Sequence, residues 1–434
     1  MKFKHQTSNF QMRTKGKFQV SISKIIGICI FLLAFVCHLE VGGLRLEVSA
    51  AYADLMPQIP VSTTVTSQTG GPTQLQSNIG GASIGWIKVG SSEVATLGWH
   101  PDFRFGPWGL GADGNLTTSD NKPANMENFV IRYAKYDDSQ KGLTYGVLNG
   151  ITVGHGLLMN NYTTRIGSQV MLTNEQMGFF GYVDLDKYVL RGMATHSNIY
   201  MGRVEERINP MLTLGQYYIN DATGRTIVQT DGTTRTFPQV AAIGADATVP
   251  LPANFQAYAE AGQLINHGGG LSAGLSWAYD MMVANATFSA EYRMLDKAFV
   301  PGYFGVDYEN NPVDLASAEA TNSSKNGYLV QLGINALGLA TFNAAYESYL
   351  NSNSSLTADL TAKASDQITV HGYYKQPNFV DFRSITLDQG AIIGVDLAYK
   401  VNANTSLITH YKKQYNPATG QVEATQYYEV GLSF

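Results

Sequence analysis

Between Ala284 and Met294 apolar and polar side chains alternate without a break. Ala284, Ala286, Phe288, Ala290, Tyr292 and Met294 fall on one face, and Asn285, Thr287, Ser289, Glu291 and Arg293 on the other. Successive side chains of a β-strand point to opposite faces, so this run specifies a strand with one apolar and one polar face. A helix, with its 3.6-residue period, would mix the two sets. The pattern recurs. Tyr328, Val330, Leu332, Ile334 and Ala336 oppose Gln331, Gly333 and Asn335. Leu356, Ala358, Leu360 and Ala362 oppose Thr357, Asp359, Thr361 and Lys363, and Ile393, Val395, Leu397 and Tyr399 oppose Gly394, Asp396, Ala398 and Lys400. At the end of the chain Tyr428, Val430, Leu432 and Phe434 oppose Tyr427, Glu429, Gly431 and Ser433.

A soluble β-sandwich also alternates, so period alone does not identify the solvent. Length and loops do more. These strands run well beyond the five or so residues typical of soluble sheets and match a tilted strand that crosses a bilayer. Aromatic residues gather near their ends, as at Trp277/Tyr279, Tyr346/Tyr349, Tyr373/Tyr374 and Tyr427/Tyr428, where interfacial girdles would sit. From residue 210 the pattern predicts twelve strands: 210–220, 239–249, 254–265, 269–279, 284–295, 326–337, 340–350, 355–363, 367–376, 389–400, 405–414 and 424–434. Their connections then sort by side. One end has 250–253, 280–283, 338–339, 364–366 and 401–404, all short; the other has 221–238, 266–268, 296–325, 351–354, 377–388 and 415–423, several of them long. Short turns on one side and long loops on the other are the rule for membrane barrels. The uncharged stretch Tyr328 to Tyr346 is long enough for a membrane helix, but Gln331, Asn335, Thr341 and Asn343 make two strands the better reading.

The N-terminus follows another plan. Lys2, Lys4, Arg13, Lys15, Lys17 and Lys24 precede the apolar run Ile25 to Val36, and Ala51-Tyr52-Ala53 forms an A-x-A site. This predicts a cleavable secretory signal over residues 1–53. The apolar run is too short to span a bilayer as a helix. Residues 54–80, rich in Pro, Ser, Thr, Gln and Gly, read as an extended periplasmic lead-in. Both cysteines, Cys29 and Cys37, lie in the leader, so residues 54–434 offer neither disulfides nor thiolate metal sites. The same residues carry 22 basic against 32 acidic side chains, a net of −10, which excludes the basic face that a nucleic-acid partner requires. Only 15% of the chain is charged, against about 25% in an average soluble domain. A mean hydropathy of −0.10 nevertheless argues against a multi-span helical membrane protein.

With the leader, the alternating strands and the terminal Phe434, the organisation of residues 81–434 resembles that of Gram-negative outer-membrane β-barrels, whose last strand typically closes on an aromatic residue. The resemblance implies an all-β fold, a single closed antiparallel transmembrane β-barrel, with outer-membrane lipid around it. It also implies recognition by the barrel-assembly machinery through Tyr428, Val430, Leu432 and Phe434, and it leaves a homotrimer open. Closure follows from physics, since an open edge in lipid leaves backbone groups unpaired. In residues 81–209 strands are predicted at 83–89, 93–104, 108–116, 129–136, 144–152 and 187–196, with one or two more in 168–184. A total of about 16, either 16 or 18, is expected.

A barrel of that size has room for an aqueous channel. The polar faces carry Asp246, Glu260, Glu291, Arg293, Glu347, Asp359, Lys363, His371, Lys375, Asp396, Lys400, His410, Lys412 and Glu429. In a dry core these charges would each cost several kcal/mol unless paired; a watered lumen removes that cost. The leading expectation is a porin-like channel for passive diffusion of small polar solutes, with a mild cation preference. The alternatives are a structural or adhesive barrel with a plugged lumen and a dedicated importer. The long connection 296–325, with Asp296, Asp307, Glu309 and Asp314, is expected to fold into the pore as a constriction; the plainer alternative is an exposed loop. Asp113-Gly114-Asn115 with Asp120 reads as a loop rather than a calcium site, and Gly154-His155-Gly156 as a turn. The aromatic run Trp99, Phe103, Phe105 and Trp108 reads as girdle. No phosphate loop, zinc-protease helix motif or serine elbow is present, so no catalytic residue, cofactor or metal is expected.

Overall fold

The computed structural model describes residues 81–434 apart from 90–91, 100, 119–128, 139, 165–175, 229–233, 282–283, 310–311, 322, 337–338, 351, 353, 381–390, 403–404, 417–420 and 434. Residues 1–80, and with them the expected leader and lead-in, lie outside the described residues.

Among the described residues one antiparallel sheet of 21 strands dominates. Neighbours in sequence are neighbours in the sheet, as expected of strands joined by tight turns. Gly81–Val89 pairs with Ser92–Trp99, which pairs with Trp108–Thr118. Asp102–Phe105 pairs with the same partner, so it continues Ser92–Trp99 across a break at 100–101. The ladder then runs through Phe129–Asp137, Lys141–Val147, Met177–Leu185, Tyr188–Thr195, Ile199–Asn209 and Leu212–Asp221. It continues through Val240–Leu251, Phe255–Leu264, Gly268–Met281, Ala284–Leu295, Lys325–Ala336 and Ala340–Tyr349. Ser354–Lys363, Ile368–Phe379, Ile392–Asn402, Thr405–Asn416 and Gln421–Ser433 complete it. The last strand pairs with the first, from Gly81↔Ser433 to Ile87↔Tyr427.

All twelve strands expected after residue 210 are present, and Ala284–Leu295 has the expected bounds. Among the described residues the sheet holds more strands than the expected 16 or 18. Strand by strand, the expectation before residue 210 lacks one member, Ile199–Asn209, which follows Tyr188–Thr195 through three residues. Arg203, Glu205, Glu206 and Arg207 broke the apolar alternation there. The strand expected over 144–152 ends at Val147; Gly150, at φ 69°, sits in the left-handed region where a side chain is disfavoured, and the chain leaves the sheet. Asp113 lies inside Trp108–Thr118 rather than in a loop, buried and 3.4 Å from Arg132.

Connections at one end are all short: 106–107, 138–140, 186–187, 210–211, 252–254, 282–283, 337–339, 364–367 and 403–404. The long ones, 148–176, 222–239 and 296–324, all leave from the other end. Two of these carry the site.

The two faces of the sheet differ. On Ile199–Asn209, Ile199, Met201 and Arg203 are buried while Tyr200 and Val204 are exposed. On Ala284–Leu295, Glu291 and Arg293 are 6% and 3% exposed but Tyr292 and Met294 are 49% and 44%. Charge is covered and large apolar side chains are bare, the inverse of a water-soluble sheet. Among the described residues no helix is long and apolar enough to cross a membrane.

Candidate functional site

Two long connections pack on the charged face, here called the inner face. Connection 148–176 forms the small hairpin Ile151–Val153 and Met159–Tyr162. Connection 296–324 contains the helix Leu315–Thr321, whose start is capped by Asp314 through the backbone N–H groups of Ala316 and Ser317. The hydroxyl of Ser317 and the nearby Arg235 hold the Asp314 carboxyl below its usual range.

Backbone hydrogen bonds join the two connections. Phe304 N–H donates to Leu158 O at 3.1 Å, Asn160 N–H to Phe304 O at 3.2 Å and Gly302 N–H to Leu157 O at 2.8 Å. Around this seam Leu157, Leu158, Met159, Phe299 and Phe304 share a buried cluster with Met201, Tyr217, Ile219, Val240 and Leu264 of the sheet. Burial of each such side chain contributes roughly 1.5–3 kcal/mol, so the connections are held against the wall.

Polar contacts fix where they dock. Glu260 accepts the N–H groups of His155 at 2.9 Å and Leu157 at 3.1 Å, together with the Tyr217 hydroxyl. The His155 ring stacks on Tyr258 at 3.9 Å and shares a hydrogen bond with Thr248 at 3.0 Å. Gly154 and Gly156, both at positive φ, make the tight turn that aims these donors, as expected of Gly154-His155-Gly156. Burial holds His155 down to about 4, so its ring is neutral. Farther out, Glu309 accepts the hydroxyls of Tyr162 and Ser197 and lies 3.4 Å from Arg225. Tyr308 donates to Asp221 at 2.7 Å. Burial raises Tyr162 and Tyr308 well above a free phenol and takes Tyr303 to about 12.

A belt of paired charges crosses the inner face. Arg203 binds Glu205 at 2.8 Å and Asp246, and Arg191 binds Glu205 at 2.6 Å. Tyr258 donates to Glu291 at 3.0 Å, and Arg293 binds both Glu291 and Glu347. His371 bridges Asp359 at 2.7 Å and Asp396 at 3.0 Å, and His410 reaches Asp396 at 2.9 Å. Pairing offsets the desolvation that buried charges otherwise suffer.

Between the connections and the strands from Ala284 to Phe379 lies a cavity of about 360 Å³. The sheet contributes Arg293, Gln331, Glu347, Ser355, Thr357 and Lys375; the connections contribute Asn160, Asn161, Tyr303, Asp307 and Tyr308. Of the expected wall residues, Arg293, Glu347 and Lys375 therefore meet at one site. Glu291 stands just behind Arg293, whereas Asp359, His371 and Asp396 form their own network along the wall. Lys363 and Lys400 are exposed near the short-turn end. Of the four acidic residues expected at a constriction, Asp307 alone lines the cavity, reaching Lys375 Nζ at 2.7 Å. Glu309 is buried behind it, Asp314 caps the helix, and Asp296 accepts the Gly269 N–H at 2.9 Å. Tyr428 is exposed and Val430 half-buried on the last strand; Phe434 and the side chains of Glu429 and Leu432 lie outside the described residues. Trp99, Phe103, Phe105 and Trp108 are all exposed near strand ends. Among the described residues no group of His, Cys, Asp or Glu is placed to hold a metal ion.

The docking hairpin 151–162 was missed by sequence reasoning. Its only signal is the apolar Leu157-Leu158-Met159 between glycine turns, with no strand alternation.

No family model matches the sequence, and no curated protein matches it. Solved structures align with most of its length. A BenF-like porin from Pseudomonas fluorescens Pf-5 is 12% identical, with 82% of this chain and 97% of that chain covered and a TM-score of 0.41. OccK11 (OpdR) of Pseudomonas aeruginosa is 12% identical, with coverages of 81% and 94% and a TM-score of 0.38. Wzi, an Escherichia coli outer-membrane protein of capsule assembly described as a carbohydrate-binding β-barrel, is 11% identical, with coverages of 82% and 84% and a TM-score of 0.37. At these identities and TM-scores the likeness assigns the chain neither a substrate nor a subfamily.

Proposed function

We propose that residues 81–434 form a closed outer-membrane β-barrel that conducts small polar solutes passively, after removal of residues 1–53 as a secretory leader. The observation that carries this reading is the inversion of the sheet: Tyr292 and Met294 are bare while Glu291 and Arg293 beside them are covered. Lipid is the solvent that makes the bare face favourable, and a watered interior suits the charged one. The pairing of the first and last strands supports closure, with the interrupted strand across 92–105 counted once to give twenty staves. The polar cavity beside the two docked connections supports a narrowed path rather than a wide pore. Two cations, Arg293 and Lys375, face three carboxylates there, Glu291, Glu347 and Asp307, which supports a mild cation preference.

One observation favours the plugged-barrel alternative: the apolar cluster that seats connections 148–176 and 296–324 inside the sheet. Single-channel recording of the purified protein in a planar bilayer separates the two. Discrete conductance steps support the channel; a silent bilayer containing folded protein contradicts it and favours the plug.

A further inference from the structure

Resting on the channel reading, we propose that the cavity between connection 296–324 and strands 284–379 binds a neutral polyhydroxylated solute about the size of one sugar ring, and disfavours its carboxylate counterpart. The polar lining falls into two classes. Asn160, Asn161, Gln331, Ser355 and Thr357 present amides and hydroxyls, groups that both donate and accept hydrogen bonds, as the hydroxyls of a polyol do. The charged groups are already committed to one another. Arg293 Nη1 lies 2.8 Å from Glu347 while its Nε is bound to Glu291, and Lys375 Nζ lies 2.7 Å from Asp307.

A carboxylate solute would therefore meet no uncommitted cation among these lining residues. To bind Arg293 or Lys375 it must displace a carboxylate already in place, and it does so beside an excess of negative charge. Both effects act against the anion and leave the neutral solute untouched. Tyr303, Val300 and Pro301 are among the apolar lining and offer surfaces that suit the C–H faces of a ring. The volume of about 360 Å³ lies within the range of small-molecule sites.

Glucose and glucuronate share a ring and differ by the carboxylate, so they make the test. In liposome swelling with the purified protein, glucose should enter about tenfold faster than sodium glucuronate, the scale expected of like-charge repulsion. Asp307→Asn releases Lys375 and should narrow that ratio to about threefold or less. Saturation-transfer NMR on the detergent-solubilised protein, which needs no transport, should show glucose contact that Thr357→Trp removes. Equal entry of the two solutes, or glucose contact that survives Thr357→Trp in a folded variant, overturns the proposal. Glucose contact without conductance or swelling keeps the site and removes the channel, so the two failures are distinguishable.

Discussion

Asp307 and Lys375 meet at 2.7 Å although they lie on opposite sides of the cavity, one on connection 296–324 and the other on the strand Ile368–Phe379. Both are part-exposed, with side-chain exposures of 52% and 37%, so the pair is worth little as a stabilising contact. Its consequence is electrostatic: it neutralises a lysine on the proposed conduction path.

Asp307→Asn is therefore expected to lower the cation-to-anion permeability ratio, read from the reversal potential in a salt gradient across a planar bilayer, without lowering thermal stability. An unchanged ratio would place the path elsewhere.

Glu309 behaves differently despite being its near neighbour. Its carboxylate is buried against Tyr162, Ser197 and Arg225. Glu309→Gln is expected to weaken docking of the connection by about 1.5–3 kcal/mol, the scale of a charge-assisted hydrogen bond. Hydrogen exchange should show faster exchange at Phe304 and Tyr308, with strand protection retained.

The seam between the connections supplies a packing test. Phe304 is fully buried between Met159 and the Tyr303 and Tyr308 rings. Phe304→Ala should cost about 3–5 kcal/mol of docking energy and increase single-channel conductance as the connections loosen. A conductance equal to wild type would mean that they do not obstruct the path.

Several inner-face glycines carry a neighbouring ring, and Gly244 is the tightest case that touches the site. A methyl group there would lie 2.2 Å from Tyr217 Cζ, displacing the hydroxyl that Glu260 accepts. Gly244→Ala should cost about 1–3 kcal/mol, seen as a lower temperature for loss of the compact band on unboiled gels.

Acid should loosen the hairpin. His155 titrates near 4 when docked because burial disfavours its charged form, whereas a released imidazole titrates at about 6.5. Between these values the released state binds more protons, so docking is at full strength above about 6.5 and weakens as pH falls toward 4. Asp246, Glu205 and Arg203 face the ring electrostatically, Tyr258 and Thr248 touch it, and Glu260 accepts the His155 backbone N–H. His155→Phe keeps the stacking and cannot be protonated, so it should reduce the change in hairpin exchange between pH 7 and pH 4.5.

The strands after residue 210 were legible because their two faces meet different solvents, and period 2 records that difference residue by residue. The strand Ile199–Asn209 was less legible. There both faces carry mixed chemistry, since Arg203 and Glu205 stand on the same face as Ile199 and Met201. The acidic residues of connection 296–324 stand out in the sequence as a group, but loop sequence carries no periodicity that separates Asp307 at the cavity from Glu309 behind it. Hairpin 151–162 was invisible for a related reason: Leu157, Leu158 and Met159 find their partners more than thirty residues away, at Met193, Tyr217 and Leu264.

In the proposed barrel one face of each strand meets lipid and the other meets water. Thr357 and Ala358 are adjacent on the strand Ser354–Lys363, and Thr357 lines the cavity. Single cysteines at each position, with Cys29 and Cys37 changed to serine, can be exposed in liposomes to a charged, membrane-impermeant thiol reagent. Labelling is expected at Thr357→Cys and none at Ala358→Cys, with the order reversed for a lipid-soluble maleimide. Rapid labelling of both positions by the charged reagent would contradict this arrangement.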